Sequence, residues 1–380
     1  MIFFILTIFT IYGGVHVYAF LKAKNVLAFG PLAGIALASF MLLMVFSLFL
    51  IRLLESHEYE LPARMLSYVS YFWMAMLFLF FCGSLVFDSI TLLTHTAGWI
   101  TRSDISSYLV PVKTAFFISL CLALTICAYG YFEAKDIRVE RIVIETTKLP
   151  AGIDRLAIVQ ISDVHLGLVN RCERFRPMIK AVKDARPDIF VVTGDLVDAQ
   201  INQLSGLADM LREVKAKYGK YAIMGNHEYY AGPDKSLAFI REAGLTMLRD
   251  EVVTDGPVTI VGVDDRTAVQ LNVGHPSAEK ELLNRLSRDK FILFLKHQPR
   301  IDPNTIGLFD LQLSGHTHKG QIFPFTLLTL LSFPLNAGNY ELGKGSLLHV
   351  SRGTGTWGPP IRFLSPPEVT VVELVRKPAV

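Results

Sequence analysis

The chain has 380 residues, a formal net charge of +3 at pH 7, and compositions of 51% hydrophobic and 19% charged. So small a charge gives no electrostatic case for nucleic-acid binding, and the length exceeds that of one small domain. The apolar share is high for a soluble protein, and most of the excess falls in residues 1–132.

Four uncharged runs lie in that first part: residues 1–21, 25–51, 65–87 and 114–132. Each is about long enough to cross a ~30 Å hydrocarbon core as a helix, so four transmembrane spans are expected. A cleaved signal peptide is the alternative for residues 1–21, but no basic n-region precedes the apolar run and three more runs follow. Four spans would place the 52–64 loop on the side of the chain's second half. That side carries Arg52, Arg64, Lys135, Arg138 and Arg141, against Lys22, Lys24, Arg102 and Lys113 on the other. The small basic excess favours a cytoplasmic placement of the second half. Asp88, His16 and His95 lie within or beside the spans; Asp88 is expected at the interface, and His16 and His95 either inside a span or near the headgroups. The four cysteines form no CxxC pair and no secreted-type framework.

Composition shifts at Glu133. Residues 133–155 read as a linker and first strand, 141–145. Residues 156–380 then read as one α/β domain. Strands are expected at 156–161, 188–192, 221–224, 246–253, 258–263, 291–295, 311–313, 346–351 and 368–375. Helices are expected at 172–185, 203–217, 234–243 and 277–288.

Five polar motifs stand where these strands end. They are Asp163-Val-His165, Gly194-Asp195-Leu-Val-Asp198, Gly225-Asn226-His227-Glu228, Lys296-His297 and Gly315-His316-Thr317-His318. Ligands of open α/β sheets collect at the carboxyl ends of strands. Asp163, His165, Asp195, Asn226, His297, His316 and His318 supply hard oxygen and imidazole donors, the set that binds two divalent ions side by side. His227 follows a proposed ligand directly and is placed to act as a general acid. Gly194, Gly225 and Gly315 are expected to permit tight turns or close backbone approach. His275 and His349 are read as ordinary polar residues.

In this order the motifs resemble those of the calcineurin-like metallophosphoesterases, over roughly residues 140–376. Within that family the chain is similar to membrane-associated bacterial phosphoesterases of the YkuE and YaeI type. The stretches carrying that likeness are Gly225–Gly232, Gly315–Gln321, Val350–Gly355 and Pro360-Ile361-Arg362. The resemblance implies a four-layer αββα sandwich and a dinuclear site of Mn, Fe or Zn. It implies that Asp163, His165 and His318 bind one ion, that Asn226, His297 and His316 bind the other, and that Asp195 bridges both. It gives His227 the catalytic role and Asp198 a supporting one. Hydroxide generated at the ions would attack phosphorus.

Four points stay open at this stage. Glu228 is either a carboxylate orienting a histidine or a surface acid. Lys319 stands where relatives often have Gly, and is either a phosphate contact or a solvated lysine; Arg352 is a second candidate for substrate contact. The uncharged segment Ile322–Leu335 is either a lip dipping into the bilayer interface or a buried element of the domain. The substrate is a phosphate ester or pyrophosphate, with a lipid-linked one favoured. An anchored phosphodiesterase for soluble nucleotides and a non-catalytic metal-binding membrane protein are the alternatives.

Overall fold

A computed structural model describes residues 2–198, 204, 206–275 and 279–377, with the backbone alone for 2–6 and 8. It divides into two compact units. One is Met1–Phe132 with Gly358–Ile361, and the other Glu133–Trp357 with Arg362–Val380.

The first unit is helical. Among the described residues three stretches are long and apolar enough to cross a membrane: Pro31–Ser56, Glu60–Thr101 and Ser106–Glu133. They fall on the expected spans 25–51, 65–87 and 114–132. The expected span 1–21 falls in the helix Ile2–Leu27, part of which lies outside the described residues. The boundaries move for a physical reason: a charge ends an uncharged run without ending a helix. Lys22 and Lys24 continue the first helix, and Arg64 and Asp88 lie inside the third. That third helix has 42 residues, about 63 Å at ~1.5 Å per residue, roughly twice the hydrocarbon thickness.

Asp88 is not solitary. Lys22 pairs with it, and the Tyr18 hydroxyl donates to it at 2.7 Å. His16 is buried rather than placed at a surface, and its Nε2 accepts from the Trp73 indole at 2.9 Å.

The second unit contains twelve strands among its described residues. They are β1 (Arg138–Thr146), β2 (Arg155–Ile161), β3 (Ile189–Thr193), β4 (Lys220–Ile223), β5 (Thr246–Met247), β6 (Glu251–Val253), β7 (Thr259–Gly262), β8 (Ile292–Leu295), β9 (Leu311–Ser314), β10 (Gly338–Gly343), β11 (Ser346–Val350) and β12 (Glu368–Arg376). They form two six-stranded sheets, ordered β1-β12-β2-β3-β4-β5 and β10-β11-β9-β8-β7-β6. The expected 246–253 strand is split between the two sheets, because Asp250 adopts a left-handed turn (φ 54°) between β5 and β6.

Strand alternation explains the layering. In β2, Leu156 and Ile158 enter one buried cluster, and Val159 and Ile161 enter another. In β3, Ile189 and Val191 separate from Phe190 and Val192 in the same way. The first cluster also takes Leu293 and Leu295 of β8 and Leu311 and Leu313 of β9, so it is the core between the sheets. The second meets Phe175, Ile179 and Val182 of the helix Cys172–Asp184, and Phe239 and Ile240 of the helix Pro233–Glu242. On the far side, Ile292 and Phe294 pack with Leu283 of the helix Glu279–Asn284. The result is helix, sheet, sheet, helix.

The expected helix 203–217 is reduced to Leu207–Arg212, and 277–288 to Glu279–Asn284; residues 203, 205, 277 and 278 lie outside the described residues.

β2, β3 and β4 run parallel, as do β7, β8, β9 and β11. Parallel pairing aligns carboxyl ends, and backbone bonds carry the alignment beyond the strands. Asp163 N donates to Gly194 O (3.0 Å), His165 N to Asp195 O (3.0 Å), and Gly315 N to His297 O (2.9 Å). Three polar motifs from one sheet and two from the other are brought to one end in this way.

Candidate metal centre

Backbone strain marks this end. Asp163, His165, Asp195, His316 and His318 all have φ between 48° and 73°. Left-handed conformations are uncommon away from glycine, although Asp and His tolerate them better than most. Five of them converging on one place is the pattern of a site whose side chains must be re-aimed.

The loops also approach closely. A Cβ on Gly315 would lie 2.2 Å from Asp163 Oδ2, and one on Gly225 would lie 2.2 Å from Asp195 Oδ1. The expectation of close backbone approach therefore holds at both glycines.

The side chains sort into overlapping groups. The ligand atoms of Asp163, His165 and His318 lie within 4.8 Å of one another, as do those of Asp195, His297 and His316, and a third group, His165, Asp195 and His227, overlaps both; each could hold a metal ion. His165 Nε2 and His318 Nε2 are 3.0 Å apart, and His318 Nε2 is 3.5 Å from Asp163 Oδ1. In the second group, His297 Nε2 is 3.2 Å from Asp195 Oδ2, 3.2 Å from Asn226 Oδ1 and 3.2 Å from His316 Nδ1. Asp195 Oδ2 also reaches His165 Nε2 at 3.8 Å, so this carboxylate stands between the groups. All seven donors expected from the sequence are brought together here.

The arrangement fits cations better than it fits itself. His297 Nδ1 lies 2.8 Å from Thr193 O and donates to it, which leaves the Nε2 lone pair facing an amide oxygen and a carboxylate. His165 Nδ1 is buried without a hydrogen-bond partner. Carboxylates and imidazoles buried this close together are costly, and divalent ions relieve that cost. Nitrogen and oxygen donors without thiolate suit Mn, Fe or Zn.

His227 sits beside both groups. Its Nδ1 is 2.9 Å from Asp198 Oδ1, and its backbone N donates to Asp195 Oδ1 at 2.9 Å. Its ring meets His165 edge-on, with centroids 4.6 Å apart. Burial disfavours its charge, but Asp195 and Asp198 outweigh burial and raise its pKa to about 9. Burial likewise opposes the Asp195 anion, yet His297 and His227 hold its carboxyl well below the usual range.

Glu228 is not a surface acid. It is fully buried, and it accepts from the backbone N–H groups of Asp195 (2.9 Å), Gly225 (2.7 Å) and Val197 (3.1 Å). It ties two ligand-bearing loops together. Arg352 is likewise engaged elsewhere. Its guanidinium pairs with Glu368 at 2.8 Å and with Glu140, and donates to Pro366 O at 3.1 Å. Lys319 follows His318 in the same turn, with left-handed backbone (φ 51°). His349 is buried against Asn339 and Thr370, and His275 is exposed; neither joins the centre.

Sequence reasoning gave Arg362 no role. It is fully buried beneath the centre. It donates to the carbonyls of Arg352 (2.6 Å), Gly355 (3.1 Å), Gly353 (3.2 Å) and Ser365 (3.2 Å), with Nη2 3.1 Å from His318 Nδ1. Burial lowers its pKa to about 10, so it remains a cation at neutral pH. An Arg362→Ala chain is expected to lose ~3 kcal/mol or more, since several buried carbonyls lose their donors at once. Arg362→Lys keeps the charge but not the planar fork, and is expected to fall between. Hydrogen exchange of amides 351–356 checks this; wild-type protection in both variants contradicts it.

Residues 156–320 match the family model of the calcineurin-like phosphoesterases. An uncharacterized metallophosphoesterase of Aquifex aeolicus is 42% identical over 259 residues, covering 67% of this chain and 98% of that protein. The uncharacterized metallophosphoesterase YkuE of Bacillus subtilis is 34% identical over 65% of this chain and 89% of its own. A transmembrane protein with metallophosphoesterase domain from Danio rerio is 30% identical over 68% of this chain and 62% of its own length. The chain belongs to the calcineurin-like metallophosphoesterases. With its three long apolar helices and its transmembrane relatives, it is a membrane protein of that family.

Proposed function

We propose that this chain is a membrane-anchored hydrolase of phosphate esters or pyrophosphates that works with two divalent ions. The observation that carries the reading is the place of Asp195, grouped with His297 and His316 on one side and with His165 and His227 on the other, His165 belonging also to the Asp163 group. Asp163, His165 and His318 would hold one ion, Asn226, His297 and His316 would hold the other, and Asp195 would serve both. When bound, such ions lower the pKa of a water and polarise a phosphoryl oxygen.

The rest is the work of the chain. His227, held by Asp198, donates a proton toward the leaving oxygen. Glu228 fixes the distance between the Asp195 and Asn226 loops. Lys319 stands at the lip of the centre as a candidate contact for a substrate phosphate.

The favoured substrate is amphiphilic. Phe333 packs edge-on against His316 with centroids 5.0 Å apart, and the exposed Trp357 lies 5.8 Å from His227. A site with aromatic rings at its mouth suits a phosphate attached to an apolar tail. We place the second unit on the cytoplasmic side of a bacterial membrane, from Lys135, Arg138 and Arg141 after the last span.

The test is turnover by the full chain in bilayers with Mn²⁺, on an aryl phosphate monoester, an aryl diester and a long-chain alkyl pyrophosphate. At least one is expected to be hydrolysed, and an Asn226→Ala chain is expected to be slower by about a hundredfold or more. Equal rates for both chains on all three would refute the proposal.

A further inference from the structure

We propose that the helix Phe325–Ser332 seats in the headgroup–acyl boundary of the bilayer that holds the chain, and delivers lipid-borne phosphate to the metal centre. This extends the amphiphilic-substrate reading. The helix has no buried residue among its eight. Leu331 is 82% exposed and Leu327 and Leu328 are 56% exposed, with Phe323, Phe325 and Leu330 also open. Contiguous apolar surface of this kind is rare on a soluble face and marks an interaction site. The whole segment 322–335 carries no charge, which offers nothing to an ionic partner. A convex helix with leucines splayed around it also offers no groove. A fluid apolar phase is the occupant it fits.

The fold joins this helix to the point where the chain leaves the membrane. Glu133 ends the last apolar helix, and its carboxylate accepts from Leu364 N at 3.3 Å. Leu364 is itself exposed. One residue back, Phe363 O accepts from Phe323 N at 3.1 Å, and Phe363 N donates to Gln321 O at 2.9 Å. Backbone and side-chain hydrogen bonds thus link Glu133, where the second unit begins, through the exposed Leu364 and Phe323 to the helix.

The same helix is pressed onto the metal centre. A Cβ on Gly320 would lie 2.5 Å from Thr326 Cα, and the Thr326 hydroxyl donates to Lys319 O at 2.8 Å. Just past the helix, Phe333 packs on His316 and lies under the Arg300 guanidinium, 4.6 Å away. Trp357, a residue type favoured at membrane interfaces, flanks His227. Leucines in the acyl layer, aromatic rings at headgroup depth and histidines just above form the order that a membrane phosphate ester requires.

The experiment uses the full chain in phosphatidylcholine bilayers. A nitroxide is placed at Leu331→Cys after Cys82, Cys121, Cys127 and Cys172 are replaced by Ala, with Asp209→Cys as a surface control. Power saturation is read against oxygen, which concentrates in lipid, and a water-soluble nickel chelate. Leu331 is expected to be accessible to oxygen and shielded from nickel, and Asp209 the reverse. Nickel access at Leu331 would place the helix in water. Shielding from both reagents would place it against protein, such as a second copy of the chain. Either result overturns the proposal.

A second arm compares wild type with the Leu327→Ser/Leu328→Ser/Leu331→Ser chain. These side chains are exposed, so the fold does not need them. Turnover of a vesicle-embedded long-chain ester is expected to fall about tenfold or more, while that of a soluble aryl ester stays within about twofold. Equal losses on both esters, or none on either, count against the delivery role. The accessibility arm needs no turnover, so failure of the hydrolase reading and failure of the bilayer seat are told apart.

Discussion

An Asp195→Asn chain is expected to lose turnover by on the order of 10³-fold, about 4 kcal/mol of transition-state stabilisation. The substitution is nearly isosteric. Asn can still accept from His227 N as Asp195 Oδ1 does at 2.9 Å, so the Gly225–His227 loop should hold its place. What disappears is charge. Asp195 is the carboxylate in two of the three donor groups, and its Oδ2 faces both His297 Nε2 and His165 Nε2. Two cations in a buried site repel strongly unless an anion lies between them. The loss should therefore appear as lost metal before it appears as lost fold. Elemental analysis after dialysis, together with near-ultraviolet dichroism, separates the two. Full metal content with wild-type turnover in Asp195→Asn would remove Asp195 from the bridging position.

A His227→Asn chain is expected to lose about 10²- to 10⁴-fold in turnover, the range of a positioned general acid, with metal content unchanged. His227 lies outside the Asp163–His165–His318 and Asp195–His297–His316 groups, and it meets His165 and Asp195 only in the group that overlaps both. Asp198 holds its Nδ1, which leaves Nε2 free to serve the reaction. A proton donor matters most when the leaving oxygen is basic. The defect should therefore shrink on nitrophenyl esters and grow on alkyl esters. A defect of one size across leaving groups would assign His227 to charge stabilisation alone. Asp198→Asn should copy the pattern more weakly, about 10- to 100-fold, because it acts through the ring it orients.

The centre was more legible in the sequence than its surroundings. Runs such as Leu156–Ile161 and Ile292–Leu295 announce buried parallel strands, and a polar motif straight after such a run can only lie at the strand's carboxyl end. That local logic places Asp163, Asp195, Asn226, His297 and His316 without a model. It cannot place Glu228, whose role depends on three N–H groups from two loops meeting in space. Nor does it reach Arg362, a lone cation in a Pro- and Gly-rich stretch whose partners are carbonyls, which leave no trace in side-chain chemistry. Arg352 shows the converse. A basic residue in a motif-like stretch reads as a phosphate contact until Glu140 and Glu368 are seen to hold it.

Edge structure was missed for a related reason. β10 alternates half-exposed and exposed residues and has no core face, so no hydrophobic period marks it. It exists because it pairs antiparallel with β11 across the Gly343-Lys344-Gly345 turn, where all three residues have positive φ. The ends of the membrane helices were read from charge, and helices run on past charged residues. Asp88 lies within a 42-residue helix because Lys22 and Tyr18 satisfy it there.

The central claim is that two ions share this centre through Asp195. It is tested most directly by titrating the full-length, bilayer-held chain with Mn²⁺ and following electron paramagnetic resonance. Two ions per chain are predicted, magnetically coupled as expected for a separation of roughly 3.5–4 Å, with the coupling abolished in Asp195→Asn. A single uncoupled ion per chain, or coupling that survives Asp195→Asn, would contradict the account.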